Sequence, residues 1–305
     1  MRRALVAATR VVGVAAFAYT VYSVGARDIR DVFLKIGWGF GAILLLSGAR
    51  EASRALAWSY TLDRSVELPF RNAFAARLVG EALNTLLPMG FVVGEPAKAS
   101  HVAGRLPFAT AFAALAIEFG FYIASLLVLF VIAAFSLLPP SMAFASAVLV
   151  LVVFGMFKKT RSVFRPLLGL ASADRHRAGA IGALEVAYHV FGIGEAYITL
   201  GLINPHPPSW EAAMALESVN RAVTMLFKML PMRVGVDEAA AAMVANRLAI
   251  GTASGVMLAL VRKIRLLFWS AVGLVLMLMR ARKQIARRHA ATNLQSAKPF
   301  AATLQ

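Results

Sequence analysis

Two stretches of the sequence each combine a carboxylate, an amide three residues later, a proline, and a second carboxylate seven residues beyond it. Glu81 and Asn84 precede Pro88 and Glu95, and Glu217 and Asn220 precede Pro231 and Glu238. A three-residue spacing puts acid and amide on one helical face. Gly94 lies between proline and acid in the first stretch, Gly235 in the second. Lys98 follows the first stretch, while Arg221, Arg262, Lys263 and Arg265 crowd the second, with Lys228 and Arg233 at its margin. Guanidinium groups grip phosphate bidentately, and the amino termini of broken helices add N–H donors aimed at the same charge. The chemistry this predicts is anion recognition, with Glu81, Asn84, Glu95, Lys98, Glu217, Asn220, Arg221, Glu238, Arg262 and Arg265 as candidate binding residues. Two plainer readings stand beside it. Glu217 with Arg221, and Glu81 with Arg77, are four apart and can pair to lock packing; the basic cluster can also hold anionic lipid non-specifically. Asp237 and Glu238 are expected to cap a short helix, and Glu95 with Pro96 to start another.

Enzyme constellations are missing. The sequence has no H-E-x-x-H, D-x-D, P-loop or G-x-S-x-G pattern, and its five histidines are scattered. Zero cysteines excludes thiol catalysis, thiolate metal sites and disulfides. No catalytic residue, metal or cofactor is expected. The net charge of +17 does not predict nucleic-acid binding, because the basic residues sit in short clusters between apolar runs.

The elements that hold these residues must lie in a membrane. Of 305 residues, 60% are hydrophobic and 15% charged, and mean hydropathy is +0.71. A soluble fold cannot bury that much apolar surface while its perimeter faces water. Spans are expected near 9–26, 36–58, 108–138, 142–157, 179–202 and 252–280. The stretches 68–105 and 210–250 break at their prolines and read as re-entrant hairpins. The expected fold is thus an all-α polytopic membrane protein with about six transmembrane helices and two opposed hairpins in an inverted-repeat-like arrangement. The links 27–35 and 204–208 read as outside loops, and 158–177 as the most basic inside loop. Arg50, Arg54 and Trp58 read as a basic, aromatic span end at an interface. Both termini then fall in the cytoplasm. Residues 1–290 form one integral domain and 291–305 a flexible tail. Glu81, Glu118, Glu185, Glu217, Arg221, Arg247, Arg262, Lys263 and Arg265 fall at depth, where one charge costs about 2.5–3.5 kcal/mol on insertion scales.

The run from Glu81 through Asn84, Pro88, Gly90, Gly94, Glu95 and Lys98 resembles the first signature of the lysylphosphatidylglycerol synthetase membrane-domain family, also described as flippase-like membrane proteins. Pro231, Gly235, Val236, Asp237 and Glu238 resemble its second signature. Arg262-Lys263-Ile264-Arg265 with Trp269 and Gly273 is similar to its last helix. The run Leu230–Glu238 looks most like the branch associated with hopanoid biosynthesis. The resemblance implies a bacterial inner-membrane protein that moves a phospholipid, hopanoid-related or polyprenyl-phosphate-linked lipid between leaflets. Its partners would be lipids with anionic or phosphorylated head groups, and lipid-biosynthesis enzymes. Some relatives carry a fused soluble aminoacyl transferase; 25 residues follow Arg280 here, and lipid aminoacylation is not expected. Phe91, Val92 and Val93 stand where many members have more glycine, and Asp237 replaces a common arginine. A non-transporting scaffold and an intramembrane transferase are the alternatives.

Overall fold

The computed structural model describes residues 26–63, 66–137, 158–206 and 208–302, with a few isolated positions besides. The expected spans near 9–26 and 142–157 fall almost wholly outside them. The described residues form ten helices and no strand. In chain order these are α1 (Ala26–Ile36), α2 (Gly39–Tyr60), α3 (Phe70–Leu86), α4 (Phe91–Val102) and α5 (Phe108–Leu137). There follow α6 (Lys158–Ala173), α7 (Arg175–Ile203), α8 (Trp210–Leu226), α9 (Val236–Arg247) and α10 (Thr252–Ala302).

Among the described residues, three helices are long and apolar enough to cross a membrane: residues 108–136, 175–203 and 252–282. A fourth span results if α1 and α2, bent by 99° at Gly37, count as one. Their outer faces expose Val128, Ile132 and Phe135 on α5, Val186 and Val190 on α7, and Val275 and Met279 on α10. Charged residues are instead buried: Arg50, Arg77, Lys98, Glu118, Glu185, Glu195, Glu217 and Lys263 are each less than a tenth exposed. That distribution inverts the soluble pattern and suits a lipid surround.

Local chemistry sets the helix ends. Leu87 precedes Pro88 and is extended (φ −94°, ψ 142°), so α3 stops and the chain turns back. Asp174 accepts from the Arg177 N–H at 3.0 Å to start α7, and Ser209 accepts from the Ala212 N–H at 3.2 Å to start α8. Glu238 reaches back to the Gly235 N–H at 2.8 Å, capping α9 as expected.

Both interrupted stretches fold back on themselves. In the first, α3 and α4 cross so closely that a Cβ on Gly94 would lie 2.5 Å from the Gly80 carbonyl oxygen. Their small-residue contact continues through Ala73, Ala76 and Ala99 to Ala55 and Trp58 of α2. In the second, α8 packs on α9, and α9 on α10. The two turns then meet: the Met89 N–H donates to the Met229 carbonyl at 3.1 Å, and the Met232 N–H to the Thr85 carbonyl at 3.2 Å. Helices α2 and α7 form the central pair beneath this junction, and the Trp269 indole ties α10 to α2 through Ser47 at 2.7 Å.

Several expectations need correction. The link 27–35 is the helix α1. The basic loop 158–177 is largely the helix α6, whose Leu167, Leu170 and Ala171 pack on Ala57, Phe121 and Ile181; counting charges hides that stripe. Glu95 and Pro96 do not start a helix, because α4 begins at Phe91 and holds both inside it. The final helix runs on to Ala302.

The glycine crossing makes a direct prediction. Gly94→Ala forces a methyl against backbone and should destabilise the protein by about 1–3 kcal/mol. Gly104→Ala, with nothing within 4 Å of the added methyl, should stay within about 0.5 kcal/mol of wild type in thermal unfolding in detergent.

Candidate functional site: a buried ion network between the two hairpins

Tyr188 on α7 is the meeting point of the interior charges. Three guanidinium groups lie against its ring: Arg50 at 4.7 Å and Arg54 at 5.3 Å, both from α2, and Arg221 at 4.8 Å from α8. Its hydroxyl accepts from Arg221 at 2.6 Å. Stacked guanidinium groups are attracted to an aromatic face, most when desolvated. The ring therefore joins two charged groups, one leading to each hairpin.

The first group runs to α3 and α4. Arg54 holds Glu118 of α5 bidentately at 2.7 and 2.9 Å, and its Nε lies 3.4 Å from Glu185 of α7. Arg77 of α3 pairs with Glu51 at 2.8 Å, Glu118 at 3.4 Å and Glu81 at 3.5 Å. Lys98 of α4 bridges Glu81 at 2.7 Å and Glu95 at 2.8 Å, and Asn84 donates to Glu95 at 3.0 Å. Here the network opens, since the side chains of Glu81 and Glu95 are 32% and 34% exposed. Lys228, from the turn of the second hairpin, sits 5.2 Å from the Phe91 ring and 5.3 Å from that of Phe119.

The second group gathers on α8 and α10. Glu217 is bound by Arg221, by Arg262 at 2.9 Å, and by Arg50 at 3.6 Å, with Asn220 donating at 3.4 Å. Glu195 of α7 pairs with Arg50 at 2.8 Å and Arg265 at 2.8 Å. Gly192 makes space for this cluster: a methyl there would lie 3.0 Å from the Glu217 Cδ and 3.4 Å from the Arg50 Cζ. At the margin, Lys263 pairs with Glu238, and Arg233 with Asp237 at 3.0 Å.

Acidic and basic side chains are equal in number only when the groups are taken together. The first holds five carboxylates against Arg54, Arg77 and Lys98. The second holds two carboxylates against four arginines. The carboxyl-terminal side is thus the anion-attracting side, as its sequence predicts, although each arginine already has a carboxylate partner. A cleft of about 10 Å³ beside Asn220, Asp237 and Arg262 is too small for more than one water. A larger groove of about 680 Å³ opens elsewhere, beside Tyr60, Glu67, His176 and Arg177, and none of the predicted residues lines it.

The structure draws the predicted residues into two sets. Glu81, Asn84, Glu95 and Lys98 converge in the first hairpin. Glu217, Asn220, Arg221 and Arg262 converge in the second, with Arg265 one contact away through Arg50 and Glu195, and Glu238 at the margin. Both four-residue pairs, Arg77 with Glu81 and Glu217 with Arg221, form. Arg247, placed at depth by sequence, is exposed. Arg50 and Arg54, read as an interfacial end, are central and buried, because Glu195 on α7 and Glu118 on α5 face them across the bundle. Their four-residue spacing around Glu51, inside an otherwise apolar helix, is the signal that marks them.

Glu217 carries the most partners and gives the sharpest stability prediction. Glu217→Gln leaves buried arginines without their counter-charge and should cost about 3–5 kcal/mol. Combining it with Arg262→Gln should cost less than the two single changes added, by at least about 0.5 kcal/mol. Thermal unfolding of the four proteins in one detergent checks both.

No curated protein and no solved structure matches the chain. The family model described as the lysylphosphatidylglycerol synthase TM region matches residues 5–273. With that match over most of its length, its long apolar helices and its interior of paired charges, the chain belongs to the lysylphosphatidylglycerol synthase transmembrane-region family, membrane proteins of lipid metabolism or transport.

Proposed function

We propose that this chain moves lipids with anionic or phosphorylated head groups from one leaflet to the other. The reading gives it about six spans, two opposed re-entrant hairpins and cytoplasmic termini in a bacterial inner membrane, and assigns it no catalytic step. The observation that carries it is the junction of the two turns, where Met89 and Met232 donate across to the opposite hairpin. Backbone broken at membrane depth is tolerated where it packs on protein or lines a cavity, and opposed broken repeats frame the sites of many carriers.

The ion network supplies a route for the head group. A phosphate approaching Arg262 or Arg221 competes with Glu217 for the same donors, and one approaching Arg265 competes with Glu195. Each displaced carboxylate keeps a cation, because Arg50 touches both Glu195 and Glu217. Exchange of one guanidinium partner for another avoids leaving a bare charge in the interior, the costliest state available. The tails stay in lipid while the head passes between the hairpins. The run Leu230–Glu238 resembles the hopanoid-associated branch, which supports hopanoid-related lipids as cargo beside phospholipids and polyprenyl-phosphate-linked lipids. Lipid-biosynthesis enzymes are its expected protein partners.

A scaffold that holds lipid-synthesis enzymes without moving lipid is favoured by one observation, the pairing of all four arginines of the second group. Reconstitution into liposomes with labelled lipids separates the two. Wild type should accelerate movement of anionic lipids. Arg262→Ala should slow it about tenfold, equivalent to about 1.4 kcal/mol. Equal rates for both proteins would overturn the site, and no movement with wild type would leave the scaffold.

A further inference from the structure

Glu185 takes no part in the exchange of anions at Glu217 and Glu195, yet its carboxylate is poorly satisfied. It is fully buried, and neither oxygen has a hydrogen-bond partner. Its nearest cation, Arg54, lies at 3.4 Å and is already committed to Glu118 through two shorter bonds of 2.7 and 2.9 Å. Glu118 is itself 2% exposed and meets Glu185 at one nitrogen, since the Arg54 Nε lies 2.7 Å from Glu118 and 3.4 Å from Glu185. Two carboxylates therefore share one guanidinium in a site closed to water.

Besides Arg54 the neighbours supply only one further counter-charge, and it is shared. From α2, Arg54 faces the pair, while Arg50 is paired with Glu195. From α3, Arg77 reaches Glu118 at 3.4 Å but is shared with Glu51 and Glu81. From α5 come Glu118 and Tyr122, whose ring lies 4.2 Å from the Arg54 guanidinium. On α7 itself stand Tyr188 and His189; the imidazole bonds Ser125 through Nε2 at 3.1 Å and leaves Nδ1 unpartnered. Arg221 of α8 reaches only as far as Tyr188. Helix α6 contributes the apolar Leu167 and Leu170. Two like charges this close do not both stay ionised at low dielectric, whereas one proton turns oxygen–oxygen repulsion into an O–H···O bond.

We propose that Glu118 and Glu185 bind one proton between them, making this pair a proton-exchange site buried within the helices. The unsatisfied oxygens of Glu185 are the mark of that missing hydrogen. Loss of the proton leaves two carboxylates around Arg54, and the cation best placed to answer is Arg77 of α3. Moving it inward draws it from Glu51 and Glu81 and loosens the tie of the first hairpin to α2 at Glu51. Proton binding in this way favours the arrangement in which the two turns meet, and proton release favours one in which the hairpin shifts. The link to lipid movement rests on the translocation reading; the bound proton does not.

Infrared difference spectroscopy of the full chain in liposomes tests the proton alone. The expected result is a protonated-carboxyl C=O stretching band at neutral pH that shifts in heavy water and disappears on raising pH. Sharing requires the band to vanish in Glu185→Gln and equally in Glu118→Gln, since the remaining carboxylate then ionises against Arg54. A wild-type spectrum without the band overturns the proposal whether or not either variant folds. So does a band that survives in both variants, or in Glu118→Gln alone. Lipid movement in wild-type liposomes with no such band would refute the shared proton and leave translocation standing.

Discussion

A charge inside a membrane protein must meet an opposite charge, and this constraint organises the rest of the structure. The helices bury many of the arginines and acids that their sequences carry, and most of these charges meet an opposite charge on another helix. Arg50 and Arg54 of α2 cross to Glu195, Glu118 and Glu185 on α7 and α5, so the central helix pair is joined by ions as well as by packing. Tyr188 lets three guanidinium groups approach one another by giving each an aromatic face. Small residues follow from the same need. Gly192 leaves room for Glu217, and Gly80 with Gly94 brings Lys98 within reach of Glu81.

Such a network is a poor way to gain stability, since well-packed apolar residues of similar volume often do as well or better. It is a good way to hold two arrangements of similar energy, because partners can be exchanged without exposing a charge. The junction of the hairpins has the same character. Met89, Met232 and Arg233 all adopt positive φ there, and such backbone costs about 1–3 kcal/mol per residue unless the surroundings hold it. Two backbone hydrogen bonds between the turns supply part of that hold. Strain and shared ions thus sit side by side at the place where the two halves touch.

Much of this is legible in the sequence. Pro88 and Pro231 mark the breaks, and the acid–amide pairs mark the faces that meet, because both signals are local. The ends of α3, α5, α7 and α8 fall within a few residues of where hydropathy and prolines place them. Arg50 and Arg54 were the hardest to read, since a basic residue near the end of an apolar run also fits an interface, and only the position of α7 decides between them. Helix α6 was hidden for a related reason: its charges suggest a loop, and its apolar stripe matters only against α2, α5 and α7. The partners of Glu217 and Glu185 are set by helix order across the bundle, which no spacing along the chain records.

The central claim is that the two turns meet, and that transport requires them to part. With no native cysteine, the chain accepts the pair Thr85→Cys and Met232→Cys, placed where a backbone bond of 3.2 Å joins these residues. The decisive measurement is lipid movement in liposomes by this variant, first oxidised and then reduced. The account predicts that the disulfide forms, stops movement, and releases it again on reduction. Undiminished movement by fully cross-linked protein would contradict it.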